Sequence, residues 1–243
     1  MTQNIYDNQK FFEKYRRLPR SRKGLPGAPE WPALRALLPA SLGGLRVLDL
    51  GCGFGWFSRW ARQNGASQVL GIDVSQKMLM RAHAETHDPA IRYLRADLER
   101  LRSLQSSSFD LVFSSLALHY VKNLHGLVSK VRRSLVPGGS LVFSVEHPIY
   151  TAPSSPKWRT VSGRKFWPVD GYLEEGPRST DWLARGVIKQ HRTLATYINT
   201  LLRQGFTISE VNEWAPTRKQ IASHPGWADE RQRPAFLLVA ARR

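Results

Sequence analysis

The chain has 243 residues, with 36 Lys and Arg against 19 Asp and Glu, for a formal net charge of +17. Its 42% hydrophobic and 23% charged residues are those of a folded globular chain and exclude a disordered basic tail. The single cysteine, Cys52, excludes an internal disulfide and a thiolate zinc cage, and no apolar run approaches the roughly 18 residues of a membrane-spanning helix. The opening stretch, MTQNIYDNQKFFEKYRR, lacks the apolar core of a secretory signal, so a cytoplasmic location is expected, with no membrane partner and no metal.

Taken in chain order, residues 1–45, with Tyr6, Phe11, Phe12, Tyr15 and Trp31, read as an N-terminal helical cap. From residue 46 short apolar runs alternate with helical patterns. Strands are predicted over 47–50, 68–73, 91–96, 109–114 and 140–145. Helical stretches are predicted over 54–64, 76–87 and 123–135, with a short turn over 98–104. Gly65 can stop the first of these helices and Ser75 can cap the second. Val136-Pro137-Gly138-Gly139 reads as a helix-to-strand turn. Residues 46–147 form a cofactor-binding core on this reading.

The segment 148–190 is punctuated by Pro148, Pro153, Pro156, Pro168 and Pro177 and carries Trp158, Phe166, Trp167, Tyr172 and Trp182, the pattern of an inserted lid. Residues 191–243 complete the core with a helix over 193–204 and strands over 206–214 and 235–240. About twenty residues without a strong crossover helix join those two strands, so an antiparallel pair is expected. Continuous apolar strands between helices indicate an α/β fold with a doubly wound, mainly parallel sheet, in a single domain overall.

The densest chemical signal is Val47-Leu48-Asp49-Leu50-Gly51-Cys52-Gly53-Phe54-Gly55, a strand entering a glycine turn and then a helix. Glycines admit close backbone approach, and a helix start presents unpaired N–H groups. The dinucleotide fingerprint would need a third glycine where Trp56 stands, and no Lys-Ser or Lys-Thr follows to make a phosphate loop. S-adenosylmethionine calls for a different set of partners. Asp49 can attract its ammonium, Asp73 can accept from both ribose hydroxyls, and Asp97 can take the adenine amino group. These three acids at three successive strand ends point to one crevice beyond the carboxyl edge of the sheet.

On these residues the chain resembles the class I S-adenosylmethionine-dependent methyltransferases, in their UbiE-like, type 11 small-molecule branch. The matching stretches are LDLGCGFG, GIDVSQKML, YLRADLE, FDLVFSSLALHY and LVPGGSLVFS. The resemblance implies a seven-stranded Rossmann-like methyltransferase sheet with an antiparallel last strand, and S-adenosylmethionine as cofactor. It also implies cofactor contacts from Asp49, Gly51, Gly53, Asp73, Val74, Met78, Asp97, Leu98 and the Ser114-Ser115 region, with Cys52 and Gly55 contributing as members of the glycine loop.

On the acceptor side, His119 follows the fourth strand, Glu146 and His147 follow the fifth, and His191 opens the late helix; a histidine suits a general base near neutral pH. Each has a structural alternative: a turn-holding imidazole for His119, a hinge for His147, an anchor for His191 and an ion pair for Glu146. Tyr15, Arg20, Trp167, Tyr172 and Arg192 are candidate contacts to a small-molecule acceptor, methylated on oxygen in preference to nitrogen or carbon. The charge raises an alternative, an RNA methyltransferase using the cluster Arg16, Arg17, Arg20, Arg22 and Lys23. A cofactor-binding regulator without turnover is a third reading. The surplus is mostly arginine, 26 against 10 lysines spread along the chain, without a nucleic-acid recognition box.

Overall fold

The computed structural model describes residues 3–101 and 104–243, so the turn expected over 98–104 lies partly outside the described residues. The N-terminal stretch forms a 3-10 turn at Ile5–Asp7 and helices α1 (Gln9–Tyr15), α2 (Pro19–Arg22) and α3 (Trp31–Ala36). Asn8 caps α1 by accepting from the Phe11 amide at 3.1 Å, and proline sits in the first turn of α2 and α3, where an N–H has no helical partner to lose.

The core then runs β1 (Arg46–Leu50), α4 (Trp56–Gln63), β2 (Gln68–Asp73), α5 (Gln76–Ala84), β3 (Ile91–Arg95), β4 (Phe109–Ser115), α6 (Leu124–Ser134) and β5 (Leu135–Glu146). A short α7 (Pro148–Thr151) leads into two hairpins, β6 (Arg159–Val161) with β7 (Arg164–Phe166) and β8 (Gly176–Trp182) with β9 (Ala184–His191). The chain closes with α8 (Leu194–Arg203), β10 (Thr207–Trp214), α9 (Arg218–Ser223) and β11 (Phe236–Arg242).

Seven strands form one sheet in the order β3-β2-β1-β4-β5-β11-β10. Strands β1 to β5 are parallel to their neighbours, and β11 runs antiparallel to both β5 and β10, as the sequence led us to expect. The chain winds outward from β1 through β2 to β3, then returns to place β4 on the other side of β1. The switch point of the sheet therefore lies between β1 and β4, where open α/β sheets bind ligands.

Both faces of the sheet are covered, and the side chains divide between them with period two. On β11, Leu237, Val239 and Ala241 join the cluster that includes Val131 of α6 and Leu201 of α8. Leu238 and Ala240 join the opposite cluster with Leu34 of α3 and Phe57 and Ala61 of α4. In that second layer Phe57 stacks on Phe113 of β4, fixing α4 over the switch point.

Three expectations are corrected. The Val136-Pro137-Gly138-Gly139 turn is absorbed into β5, which starts at Leu135 and shifts register against β4 between Phe109 and Leu111; Gly138 there bonds instead to the Arg243 carbonyl at 3.0 Å. Residues 176–191, too broken by proline and glycine to read as strand, pair as β8 and β9. His191 ends β9 rather than opening the late helix, which Thr193 caps.

Leu237 is fully buried between β5 and β10. Leu237→Ala is expected to lower stability by about 2–5 kcal/mol, through lost burial and a residual cavity. Urea unfolding should show a lower midpoint with an unchanged m-value.

Candidate active site

Strand β1 ends in the glycine turn. Gly51 and Cys52 donate their amides to the Ile72 carbonyl of β2 at 2.7 and 3.1 Å, which folds the turn back over the sheet edge. Gly51 has φ +74°, and a Cβ there would lie 2.3 Å from the Ala117 Cβ, so the loop after β4 closes against it only because the position is glycine. Gly53, at φ +54°, differs: a Cβ would meet nothing within 4 Å, so its backbone borders open space.

That space is a cavity of about 480 Å³ lined by the ends of β1, β2, β4 and β5, by the N-terminal segment and by the loop before β11. Asp49, Gly51, Cys52, Gly53, Asp73, Val74, Met78, Asp97, Leu98 and Ser115 all line it, as do Tyr15, Arg20, His119 and Glu146. Gly55 is not among the lining residues; it starts α4. Ser114 is fully buried and donates to the Leu50 carbonyl at 2.8 Å, a contact between β4 and β1 rather than one to the cavity. Leu116, also lining the cavity, sits at φ +53°, a strained conformation for leucine at the switch point.

The acids are arranged by donors from the adjoining turns. Asp49 accepts from the Ser58 hydroxyl at 2.7 Å, one turn into α4. Burial pushes its carboxyl up to about 7, against the pull of Ser58 and with a further push from Asp73. Asp73 accepts from the Gly53 and Ser75 amides, each at 2.8 Å, and burial outweighs these bonds to raise its pKa as well. Asp97 accepts from the Glu99 amide at 3.0 Å.

The acceptor-side candidates separate sharply. His119 is buried on the cavity wall, and its Nδ1 accepts from the Glu146 amide at 3.3 Å, so the neutral ring carries its proton on Nε2. Burial, reinforced by Lys189 and Arg192, holds its pKa well below the ordinary histidine value. Glu146 accepts from Lys189 Nζ on Oε1 at 2.5 Å, while its Oε2 is buried without a partner.

His147 lies outside the cavity. Its Nδ1 caps α7 by accepting from the Ile149 amide at 3.1 Å, and its Nε2 meets Glu213 at 2.8 Å, so Glu213 and not Glu146 orients it. His191 is held between the Thr151 hydroxyl and the Tyr172 carbonyl. Arg192 Nη2 donates to the carbonyls of Val121 and Lys122, while its Nη1 is buried without a partner among the described residues. Trp167 donates to the Ile149 carbonyl, and the Tyr172 hydroxyl accepts from the Leu194 amide. None of these five lines the cavity.

Of the five lid aromatics, only Trp182 lines it, packed edge-on against Phe11 and Tyr15 of α1. Within the basic N-terminal cluster, Arg20 alone faces the cavity, and its guanidinium pairs with the buried Glu30 at 3.1 Å. Arg16, Arg17, Arg22 and Lys23 are exposed and point elsewhere.

Sequence reasoning missed Trp56 and Arg233. Trp56 occupies the position where a third glycine would stand, and its indole Nε1–H is buried on the cavity wall without a partner. The mismatch with the dinucleotide pattern was the available signal. Arg233 comes from the loop before β11, where no motif marks it.

Comparisons with known proteins give one consistent picture. The type 11 methyltransferase-domain family matches residues 48–143. The chain is similar to a solved S-adenosylmethionine-dependent methyltransferase from Mesorhizobium loti, 59% identical with a TM-score of 0.86, covering 90% of this chain and 100% of that one. It is similar to a candidate S-adenosylmethionine-dependent methyltransferase from Listeria monocytogenes, 41% identical with a TM-score of 0.81, covering 89% and 98%. A malonyl-(acyl-carrier protein) O-methyltransferase of Enterobacter lignolyticus is 38% identical over 63% of this chain, which spans about half, 54%, of that relative's length.

The cavity fits S-adenosylmethionine on its own terms. The Asp49 carboxyl, destabilised as an anion by burial, lacks a cation; the Trp56 Nε1–H lacks an acceptor; and Gly53 leaves the space above the turn open. An ammonium near Asp49 favours its ionised form, so ligand binding should release the proton that burial retains below pH 7. The affinity for S-adenosylhomocysteine is therefore expected to rise as pH increases from 5.5 toward about 7, by up to roughly tenfold per unit, and to level off above. Calorimetric titration across this range checks it, and Asp49→Asn should bind more weakly with a flat profile.

Proposed function

The chain belongs to the S-adenosylmethionine-dependent methyltransferases, and from that membership we propose that it methylates an oxygen atom of a small-molecule acceptor held between His119, Glu146 and the aromatic wall of the cavity. The observation that carries this reading is Glu146 Oε2, a buried carboxylate oxygen on the cavity wall whose sister oxygen is held by Lys189 and which has no donor of its own. A hydroxyl of the acceptor supplies that donor. The similarity to an O-methyltransferase over part of the chain supports oxygen as the acceptor atom.

When bound, S-adenosylmethionine supplies a methyl carbon already activated by its sulfonium, so the protein's task is alignment, exclusion of water and removal of one proton. Glu146 is the proton acceptor in this reading. His119 is not: with Nδ1 occupied by a backbone N–H, its Nε2 can only donate, and burial keeps the ring neutral. It orients the acceptor oxygen as a hydrogen-bond donor. Tyr6, Tyr15, Tyr120 and Trp182 wall the space and keep water out. Asp49, Asp73 and Asp97 take the ammonium, ribose and adenine of the cofactor, and Trp56 takes its carboxylate.

An RNA acceptor would need a basic path into the cavity, and the one arginine of the N-terminal cluster that enters is neutralised by Glu30. Incubation with methyl-labelled cofactor and a metabolite extract, with mass spectrometry of the products, should reveal an O-methylated small molecule. Labelled RNA with no labelled metabolite would overturn the reading.

Glu146→Gln is expected to lower kcat by about 10²–10⁴-fold, the usual range for loss of a general base, with S-adenosylhomocysteine affinity unchanged. His119→Ala should lower it less, by about tenfold, as one lost neutral hydrogen bond. Because the His119 pKa is depressed, the ring is deprotonated at all pH values above its low pKa, and the pH–rate profile should show no histidine ionisation between 6 and 7.

A further inference from the structure

We propose that the acceptor is a carboxylic acid and that Arg233 binds its carboxylate; this rests on the methyl-transfer reading above and names its substrate class. Arg233 lies on the cavity wall with Tyr150 and Glu230 and is only 4% exposed. Its Nη2 is held by Glu230, at 3.0 and 3.2 Å to the two carboxylate oxygens. Its Nε and Nη1 are buried with no acceptor among the described residues.

Three rings surround the guanidinium, with centroids 4.0 Å (Trp167), 4.5 Å (Tyr150) and 5.2 Å (Trp158) from its central carbon. Ring faces attract the charge, but they are poor substitutes for an oxygen as partner to an N–H. The cage therefore explains why arginine is held here, rigid and desolvated, and leaves two donors to be satisfied. A buried guanidinium with unmet donors is costly unless an anion completes it.

The charge count sets the kind of anion. The two ion pairs on this wall, Arg233 with Glu230 and Lys189 with Glu146, each balance, as does Arg20 with Glu30. A single negative charge is the smallest that completes the free donors of Arg233 without repelling Glu146 and Glu230. A carboxylate meets that condition, whereas a phosphate dianion would crowd a second charge against Glu146 and Glu230. Glu146, Tyr150 and Arg233 line the same cavity, with the Tyr150 ring centroid 4.5 Å from the central carbon of the Arg233 guanidinium. The acceptor thus presents a hydroxyl to Glu146 and a carboxylate to Arg233, as a hydroxy acid does.

The test is calorimetry on protein saturated with S-adenosylhomocysteine. Its probes are aliphatic hydroxy acids from lactate to 6-hydroxyhexanoate and aromatic ones from hydroxybenzoates to hydroxyphenylpropionates, each paired with its amide. At least one acid is expected to bind at least about tenfold more tightly than its amide, and Arg233→Gln should erase that preference while leaving the S-adenosylhomocysteine titration unchanged. Arg233→Lys, which keeps a cation in the cage, should restore part of it. In the unsubstituted protein the binding acid should change the fluorescence of Trp158 and Trp167, a readout that does not depend on the variants folding. Acids that bind no better than amides, no binding by any acid, or a preference that survives Arg233→Gln would overturn the proposal. The separate S-adenosylhomocysteine titration decides the parent reading: its failure would sink methyl transfer, whereas acid binding to the cofactor-free protein would still locate the carboxylate at Arg233.

Discussion

Two carboxylates in one crevice, the buried Asp49 and the half-buried Asp73, are the constraint on which the rest of this site depends. Desolvation opposes the charge of each, and the surroundings answer with donors: Ser58 for Asp49, the Gly53 and Ser75 amides for Asp73. Those donors stand where they do only because α4 begins straight after the glycine turn and α5 begins at Ser75. The turn in turn needs Gly51, since a Cβ there would strike Ala117. Helix starts, glycine turn and the loop after β4 are thus consequences of holding two acids where a cationic ligand can complete them.

The acceptor half is built differently. The three histidines that look alike as candidate bases have three distinct physical situations. His147 and His191 have both ring nitrogens occupied by protein groups, which ties α7 to β10 and the β9 end to the lid segment. His119 has one nitrogen occupied and the other turned to the cavity wall, so its tautomer, and with it its role as donor, is imposed by the Glu146 amide. The same residue that supplies this amide carries the unpartnered carboxylate oxygen, so β5 sets both proton positions from one point on the backbone.

How much of this was legible in the sequence follows from what each feature requires. Strands β1, β2, β4 and β11 are short apolar runs, so the mainly parallel sheet could be read from periodicity and the antiparallel final pair from connection length, while the seven-stranded arrangement came from the resemblance. The acids at the strand ends and the Ser75 cap could be read because they are fixed by position along a regular element. The β8–β9 hairpin could not, because β8 alternates between exposed and half-buried positions and the buried face of β9 carries Lys189 and His191 beside Val187, so no apolar face betrays them. Arg233 could not either. It acquires its surroundings from Tyr150, Trp158 and Trp167, residues some 70–80 positions earlier, and only the folded chain brings them together.

The surplus of arginine, which suggests nucleic acid when counted, has a structural use when placed. Arg192 donates to the carbonyls of Val121 and Lys122, Arg243 to those of Arg133 and Leu135, and Arg178 to those of Ala152, Gly171 and Glu174. Each ties together carbonyls of loops and of element ends, a task for which a planar, many-donor cation suits better than lysine. Arg46, Arg59 and Arg62 pair with acids between neighbouring elements. Against that background Arg233 stands apart by position: Arg192 also buries an unspent donor, its Nη1, but of the two only Arg233 lines the cavity. An arginine held in an aromatic cage on the wall of a cavity is placed to meet something other than the chain, whereas Arg192, Arg243 and Arg178 are placed to meet the chain itself.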